Sequence, residues 1–149
     1  MIEADLEKIV VDSLKAALEG YDTQVYGTWQ PADGVKSEEE DGVESVLTVK
    51  AFPRSYETPT VPYAGFSFQV ALVVRSDVDF DGRNYLQITD AVSEKLQQWQ
   101  KNYESYHGEF STNGFDPTGF QLDGGDCGID KASCVWTYVQ NFTLYGIIK

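Results

Sequence analysis

An acidic turn holds the residues that are best suited, by type and spacing, to bind a metal ion. Asp77, Asp79 and Asp81 alternate along the chain and are followed by Gly82, as in the first six positions of a calcium loop, where carboxylates converge on one cation. The twelfth position of such a loop is a bidentate glutamate, but here it is Ile88. The preceding residues also predict a strand, not a helix. We therefore treat the three aspartates only as weak candidates for metal ligands, predict no metal, and expect a strand-to-helix turn whose Asp81 caps the second helix.

Other groups of residues could take part in chemistry, but their contexts do not support it. Asp123, Asp126 and Asp130 lie among glycines, and both residue types favour turns, so a solvated loop is expected there. The one histidine, His107, has no context that resembles a nucleophile elbow. Carboxylate pairs suited to glycoside hydrolysis occur in any chain this acidic, and nothing singles out one pair. No phosphate-binding glycine motif occurs, so the sequence predicts neither an enzyme nor a bound cofactor.

The two cysteines predict a reducing environment. Cys127 and Cys134 are separated by six residues, form no CxxC pair and have no nearby histidine, so we expect reduced, structural thiols. The charged, helical start MIEADLEKIV is unlike a secretory signal. No apolar run approaches the roughly 20 residues of a membrane span. These features predict a protein of the cytoplasm with no membrane partner.

The charge of the chain is strongly unbalanced. It has 24 acidic and 11 basic residues, for a formal net charge of −13. Binding to nucleic-acid phosphates or to anionic membranes requires a basic surface, so both kinds of partner are disfavoured. Either the acidity keeps the protein soluble, or it forms a surface along which DNA passes without adhering.

The 149 residues, 42% of them hydrophobic, suffice for one domain with its own core.

The first part of the chain predicts a helix, a strand and a loop. Apolar residues at helical spacing predict a helix over residues 2–19 that stops at Gly20. A short strand is predicted over 23–29. Residues 31–43 are rich in acidic residues and contain two glycines, so they cannot cover a core and are predicted to form an acidic loop.

The middle of the chain contains the clearest patterns. Residues 44–52 alternate and predict a strand, whereas three prolines over 53–65 predict an extended loop. Residues 66–75 predict a strand with one apolar face, which comprises Phe66, Phe68, Val70, Leu72 and Val74. A second helix is predicted over 83–100. Its buried stripe, at steps of three and four, comprises Tyr85, Ile88, Val92, Leu96 and Trp99.

The last third of the chain has weaker patterns. Strands are predicted over 106–111 and 119–122. The end, 133–148, predicts one long strand or a bulged pair of strands, with the polar residues Gln140 and Asn141 at the bulge.

Together these elements predict a single domain, 1–149, of the α+β class. Its sheet is expected to be mostly antiparallel or mixed, with about five strands and two helices packed on one face. Nine tyrosines, eight phenylalanines and three tryptophans exceed what one small core readily hides. They either cover subunit interfaces, where Tyr and Trp are enriched, or line both faces of the sheet.

One segment resembles a known family. In VALVVRSDVDFDGRNYLQITDAVSEKLQQW, residues 70–99, a hydrophobic strand ends in Arg-Ser-Asp, and an acidic turn leads into a helix that ends in Leu-Gln-Gln-Trp. With the first helix and the final strands, this order resembles the tail terminator proteins of long-tailed bacteriophages, also called tail completion or minor tail proteins. The glycine-rich stretch 114–128 departs from the pattern.

The resemblance implies a non-catalytic α+β domain that forms a ring, expected to be a hexamer. Such a ring caps the tail tube, ends its polymerisation and offers a surface to the head–tail connector. Its partners would be copies of itself, the tube protein and the connector, and it would be assembled in the host cytoplasm into the virion tail. DNA would pass through the ring without specific binding. The candidates for a lumenal or tube-facing loop are Glu38, Glu39, Glu40 and Asp41.

Two alternatives remain open at this stage. The first is another neck or head–tail connector component of the same kind of particle. The second, of a different class, is a calcium-dependent binding module that uses the acidic turn over 77–82.

Overall fold

The computed structural model describes residues 2–29, 45–53, 55–56, 63–77, 79, 81–130 and 134–149. The predicted acidic loop at 31–43 lies outside them. The elements in chain order are α1 (Ile2–Ala17), β1 (Thr23–Gly27), β2 (Ser45–Ala51), β3 (Ser55–Tyr56), β4 (Tyr63–Arg75), α2 (Arg83–Lys101), α3 (Tyr103–Phe110), β5 (Phe115–Asp130) and β6 (Val135–Ile148).

The strands form one mixed sheet in the order β1-β2-β4-β6-β5, and β3 pairs with β4 beyond the end of β2. β1 runs parallel to β2, and every other neighbouring pair is antiparallel. The α+β prediction is therefore confirmed. Strands β4 and β6 pair along the whole length of β4 and form the centre of the sheet.

The core lies between one face of this sheet and the helices. On β4 the predicted apolar face is confirmed, because Phe66, Phe68, Val70, Leu72 and Val74 are all fully buried. The predicted stripe of α2 is also confirmed. Trp99 is the largest fully buried side chain, and its ring lies 4.9 Å from that of Phe110 and 5.8 Å from that of Phe120. Burying each large apolar side chain contributes about 1.5–3 kcal/mol, so this layer dominates stability.

The strand predicted over 106–111 is wrong, since residues 106–110 belong to helix α3 and Ser111 is its C-cap. Asn102 begins this helix by accepting a hydrogen bond from Glu104 N (3.1 Å) with its side chain. Tyr106 and Phe110 are four residues apart and both point into the core. In so short a segment, an apolar pair at this spacing fits a strand or a helix, and the cap together with packing selects the helix.

The extended loop predicted over 53–65 is wrong at two places. Residues 55–56 form β3, and β4 already begins at Tyr63. Strand β6 is long enough to pair with this extension, which places Tyr63 opposite Ile147. Pairing partners distant in sequence therefore override the local proline signal.

The predicted bulge lies on the partner strand. Gln140 and Asn141 pair with β4 without interruption, whereas the register of β5 shifts between Leu122 and Gly125. The two amide side chains serve this bulge, because Gln140 Nε2 donates to Asp123 O (2.8 Å) and Asn141 Nδ2 donates to Gly124 O (3.0 Å). The polar pair therefore predicts the position of the bulge along the paired strands correctly, but the bulge lies on β5 and not on β6.

Strand β5 is also far longer than the predicted 119–122. It carries Asp123 and Asp126, which were expected in a loop, and both are exposed in this strand. Its pairing with β6 imposes an extended conformation on residues that favour turns on their own.

Candidate functional site

The acidic turn is organised by Asp79, whose side chain is only 4% exposed. Its Oδ1 accepts a hydrogen bond from Asn84 N (3.1 Å) and its Oδ2 accepts one from Tyr85 N (2.8 Å). These donors belong to the first turn of α2, where backbone N–H groups have no partner within the helix. Asp79 therefore satisfies the beginning of the helix from three residues before its Gly82 cap.

The prediction that Asp81 caps α2 is wrong, because Gly82 occupies the N-cap position. Asp81 is exposed, and its Oδ1 accepts a hydrogen bond from Arg83 N (3.1 Å), the first helical residue. Gly82 has φ +72°, a left-handed conformation that glycine adopts at little cost. This turn leaves the two following donors to Asp79.

The three carboxylates of the turn have separate partners. Asp77 forms two hydrogen bonds with the Arg75 guanidinium, at 2.7 and 3.2 Å, while Asp79 and Asp81 bind backbone N–H groups. Among the residues that the structure describes, no group of three or more His, Cys, Asp or Glu could hold a metal ion. In this arrangement the aspartates serve to join strand β4 to helix α2.

A tryptophan that the sequence did not single out fastens this turn to the sheet. Trp136 Nε1 donates to Asp79 O (2.8 Å), and its ring stacks on that of Tyr85 at 5.7 Å. The Tyr85 hydroxyl donates to Thr137 O (2.6 Å). Burial, with a smaller contribution from Cys127, raises the pKa of Tyr85 to about 12. The two hydrogen bonds and the ring stacking hold the turn against β6.

A serine, a lysine and a glutamate meet where the three helices converge. Glu109 of α3 accepts hydrogen bonds from Ser13 Oγ of α1 and from Lys95 Nζ of α2, each at 2.7 Å. Burial alone would raise the pKa of Glu109, but the hydrogen bonds from Lys95 and Ser13 outweigh it and lower the pKa below its usual value. The carboxylate is thus a structural tie between helices.

His107 forms a second polar link. Its Nε2 lies 3.1 Å from Asp116 Oδ1, and both side chains are partly exposed. This contact connects α3 to the beginning of β5. The predicted lumenal residues, Glu38 to Asp41, lie outside the described residues.

One face of the sheet has no helix packed on it in the described part of the chain. The buried residues of all three helices belong to the same core as Leu47 and Phe142, so the helices share one side. On the opposite side, half-buried residues align across strands. We call this surface the open face, and its centre comprises Val46, Thr48, Ala71, Val73, Thr137 and Val139.

The two edges of the sheet differ in their cover. At β5 the first half of the strand contacts the helices, and Leu122 N donates to Gln100 Oε1 of α2 (2.7 Å). From Asp123 to Ile129 every residue is exposed, and we call this segment the β5 edge. At the other end lies β1, the β1 edge. No described strand pairs with the outer side of either edge.

Comparisons with known proteins give a match in structure only. No protein-family model and no curated protein matches the chain. Among solved structures, it is similar to a chain from the virion of a native gene transfer agent (GTA) particle, with a TM-score of 0.56 and 10% sequence identity. The match covers 97% of this chain and 93% of that chain. At this identity, the likeness establishes a shared fold over nearly the whole of both chains.

No described helix is long and apolar enough to cross a bilayer.

Proposed function

We propose that this protein is a non-enzymatic structural component of a phage-like virion, and specifically the terminator that caps the tail tube as a ring. The observation that carries the proposal is the shared fold with a component of a gene transfer agent virion along nearly the full length of both chains. The order of elements around residues 70–99 supports the finer assignment, because it resembles tail terminators.

Two properties of the molecule fit this role. The open face and the exposed β5 edge offer a large surface to other subunits, as an assembly protein requires. The formal net charge of −13 would repel DNA that passes through a ring. The described polar clusters join secondary-structure elements, so none of them competes for the role of a catalytic centre.

The proposal is tested by adding the purified protein to polymerising tail-tube protein from the same particle. A terminator is expected to bind tube ends and to shorten the tubes in proportion to its concentration, as seen by negative-stain microscopy. Light scattering after size-exclusion chromatography reports whether a ring forms beforehand. Tubes of unchanged length with no density at their ends would overturn the terminator assignment.

The same preparation distinguishes the neighbouring role. A head–tail connector component would leave tube length unchanged and would bind the portal side of the neck. Binding to isolated connector rings, measured in parallel, therefore separates the two positions within the particle.

A further inference from the structure

The second part of the β5 edge is a regular strand whose outer side is exposed. Gly125–Ile129 pairs with β6 without a register shift, and each of its residues is exposed. Cys127 N donates to Asp126 Oδ1 of its own strand (2.9 Å). Because the backbone groups of an antiparallel strand alternate between its two sides, the N–H and C=O groups of Gly125, Cys127 and Ile129 point away from β6.

The first part of β5 has the protection that this segment lacks. Its register shifts after Pro117, and Leu122 N donates to Gln100 Oε1 of α2 (2.7 Å). Prolines, bulges, lysines and covering elements are the usual means by which proteins prevent an edge strand from pairing with another chain. Gly125–Ile129 contains no proline, lysine or bulge, and no described strand pairs with its outer side. It is therefore a template to which a further strand can be added.

The two faces of this segment present different side chains to an added strand. Asp126 pairs with Val139 and so lies on the side of the open face, where its carboxylate is exposed. Ile129 pairs with Trp136 on the helix side and is 45% exposed. An added strand that alternates basic and apolar residues would place the basic ones at Asp126 and the apolar ones at Ile129. Both kinds of cross-strand contact stabilise strand pairing.

Charge disfavours a second copy of this chain as the added strand. Two paired β5 edges would bring Asp123 and Asp126 of both copies together, and each copy carries a formal net charge of −13, so the carboxylates would repel one another. A basic segment has the complementary charge. It also has room at Gly128, where a Cβ would meet nothing within 4 Å, since glycine in a strand lets another backbone approach closely.

We propose that Gly125–Ile129 accepts an extended segment of another protein as an added antiparallel strand, with Lys or Arg at alternate positions facing Asp126 and apolar residues facing Ile129. Backbone hydrogen bonds provide the binding, and the alternating side chains select the segment. The inference rests on the proposed function in one respect, because the natural donor of such a segment would be a neighbouring protein of the particle.

A peptide titration tests the pairing. The probe is Lys-Val-Lys-Val-Lys-Val-Lys, blocked at both ends and added to millimolar concentration, and the amide chemical shifts of isotope-labelled protein are followed by NMR. The largest shifts are expected at Gly125–Ile129. In this register the valines lie opposite Cys127 and Ile129, so their N–H groups face the edge. A peptide with N-methylated valines keeps the charge but loses these donors, and it is expected not to bind.

Variants of the protein provide the matched comparison. Cys127→Pro removes an outward N–H, a change that a sheet edge tolerates, and it is expected to weaken binding about tenfold or more because the hydrogen bond is lost. Cys127→Ala keeps the N–H and should change binding by less than about twofold. Asp126→Asn should weaken binding about twofold to fivefold, as expected for one opposite-charge pair across strands. Thermal melting verifies that each variant is folded.

The outcomes that overturn the proposal are distinct. Equal binding of the N-methylated peptide, equal binding of an alternating Glu-Val peptide, or no shift at Gly125–Ile129 at millimolar peptide would each refute it. Shifts of these amides when the protein alone is diluted would mean that a second copy occupies the edge, which also refutes it. The titration contains no other virion protein, so tubes of unchanged length beside the expected titration would overturn the terminator assignment alone.

Discussion

The buried carboxylate of Glu7 occupies the space beside Gly27. A Cβ built on residue 27 would lie 2.5 Å from Glu7 Oε2, and Glu7 is fully buried. The carboxylate accepts hydrogen bonds from Trp29 N (2.7 Å) and Ala51 N (3.0 Å). One side chain of α1 therefore binds the ends of two strands and holds Trp29 at the β1 edge.

Gly27→Ala is expected to destabilise the fold. The added methyl group forces Glu7 away from its two backbone donors, and overpacking of this kind costs about 1–3 kcal/mol. Chemical denaturation measures the change in the free energy of unfolding, provided that the variant has intact secondary structure before denaturant is added. The control is Gly114→Ala, where a Cβ meets nothing within 4 Å, and a shift below about 0.5 kcal/mol is expected. Equal shifts in both variants would refute the role of the Glu7 contact.

Asp79 should matter more to stability than Asp81. Asp79→Ala removes two hydrogen bonds at the beginning of α2, and the loss of a capping side chain costs about 0.5–2 kcal/mol. Asp81→Ala removes one exposed bond, so a change within about 0.5 kcal/mol is expected. Urea denaturation of both variants measures the difference. The reverse ranking would restore Asp81 as the cap.

Calcium is expected to leave the melting temperature unchanged. A ligand that binds only the folded state raises its stability with concentration, but both carboxylate oxygens of Asp79 already accept backbone hydrogen bonds. A thermal melt with millimolar calcium, with magnesium as the control, makes the measurement. A calcium-specific rise that Asp77→Asn abolishes would support the binding-module alternative.

Glu109 should contribute to the loss of stability in acid. Its pKa is lower in the folded protein than its ordinary value of 4.5, so the unfolded state binds the proton more readily. The stabilisation is present above that ordinary value and is lost as the pH falls through the lower folded-state pKa. Denaturation midpoints of the wild type and Glu109→Gln should therefore converge in acid. The exposed Glu94→Gln is the control, and a constant gap for Glu109→Gln at all pH values would contradict this prediction.

Ionisation of the Tyr85 hydroxyl should lower the stability of the fold in alkali. Its pKa is raised from 10.0 to about 12 by burial, so the folded state holds the proton more tightly than the unfolded state. The stabilisation is complete below the ordinary pKa of 10.0 and is lost as the pH rises towards 12. Tyrosinate absorbance should reveal a group that titrates near pH 12 and is missing in Tyr85→Phe, whereas Tyr106 and Tyr138, whose pKa values burial also raises, remain in that variant. The exposed Tyr103→Phe serves as the control, since it should leave that late step in place.

The sequence by itself determined the parts of this protein whose signal is local. The stripe of α2 and the buried face of β4 follow from periodicity, because a helix or strand that covers a core must repeat its apolar residues at its own spacing. The α+β class follows from the order of these elements. The absence of a familiar catalytic motif and the acidic balance could also be read directly.

Tertiary structure decided what depends on partners distant in the chain. Packing made residues 103–110 a helix, and pairing with β6 turned the glycine-rich segment after residue 115 into a strand with its bulge. The position of the helix start gave the capping role to Asp79 instead of Asp81. The strand order placed β1 and β5 at opposite ends of the described sheet. These features arise from contacts between segments far apart in sequence, and periodicity within one segment carries no information about them.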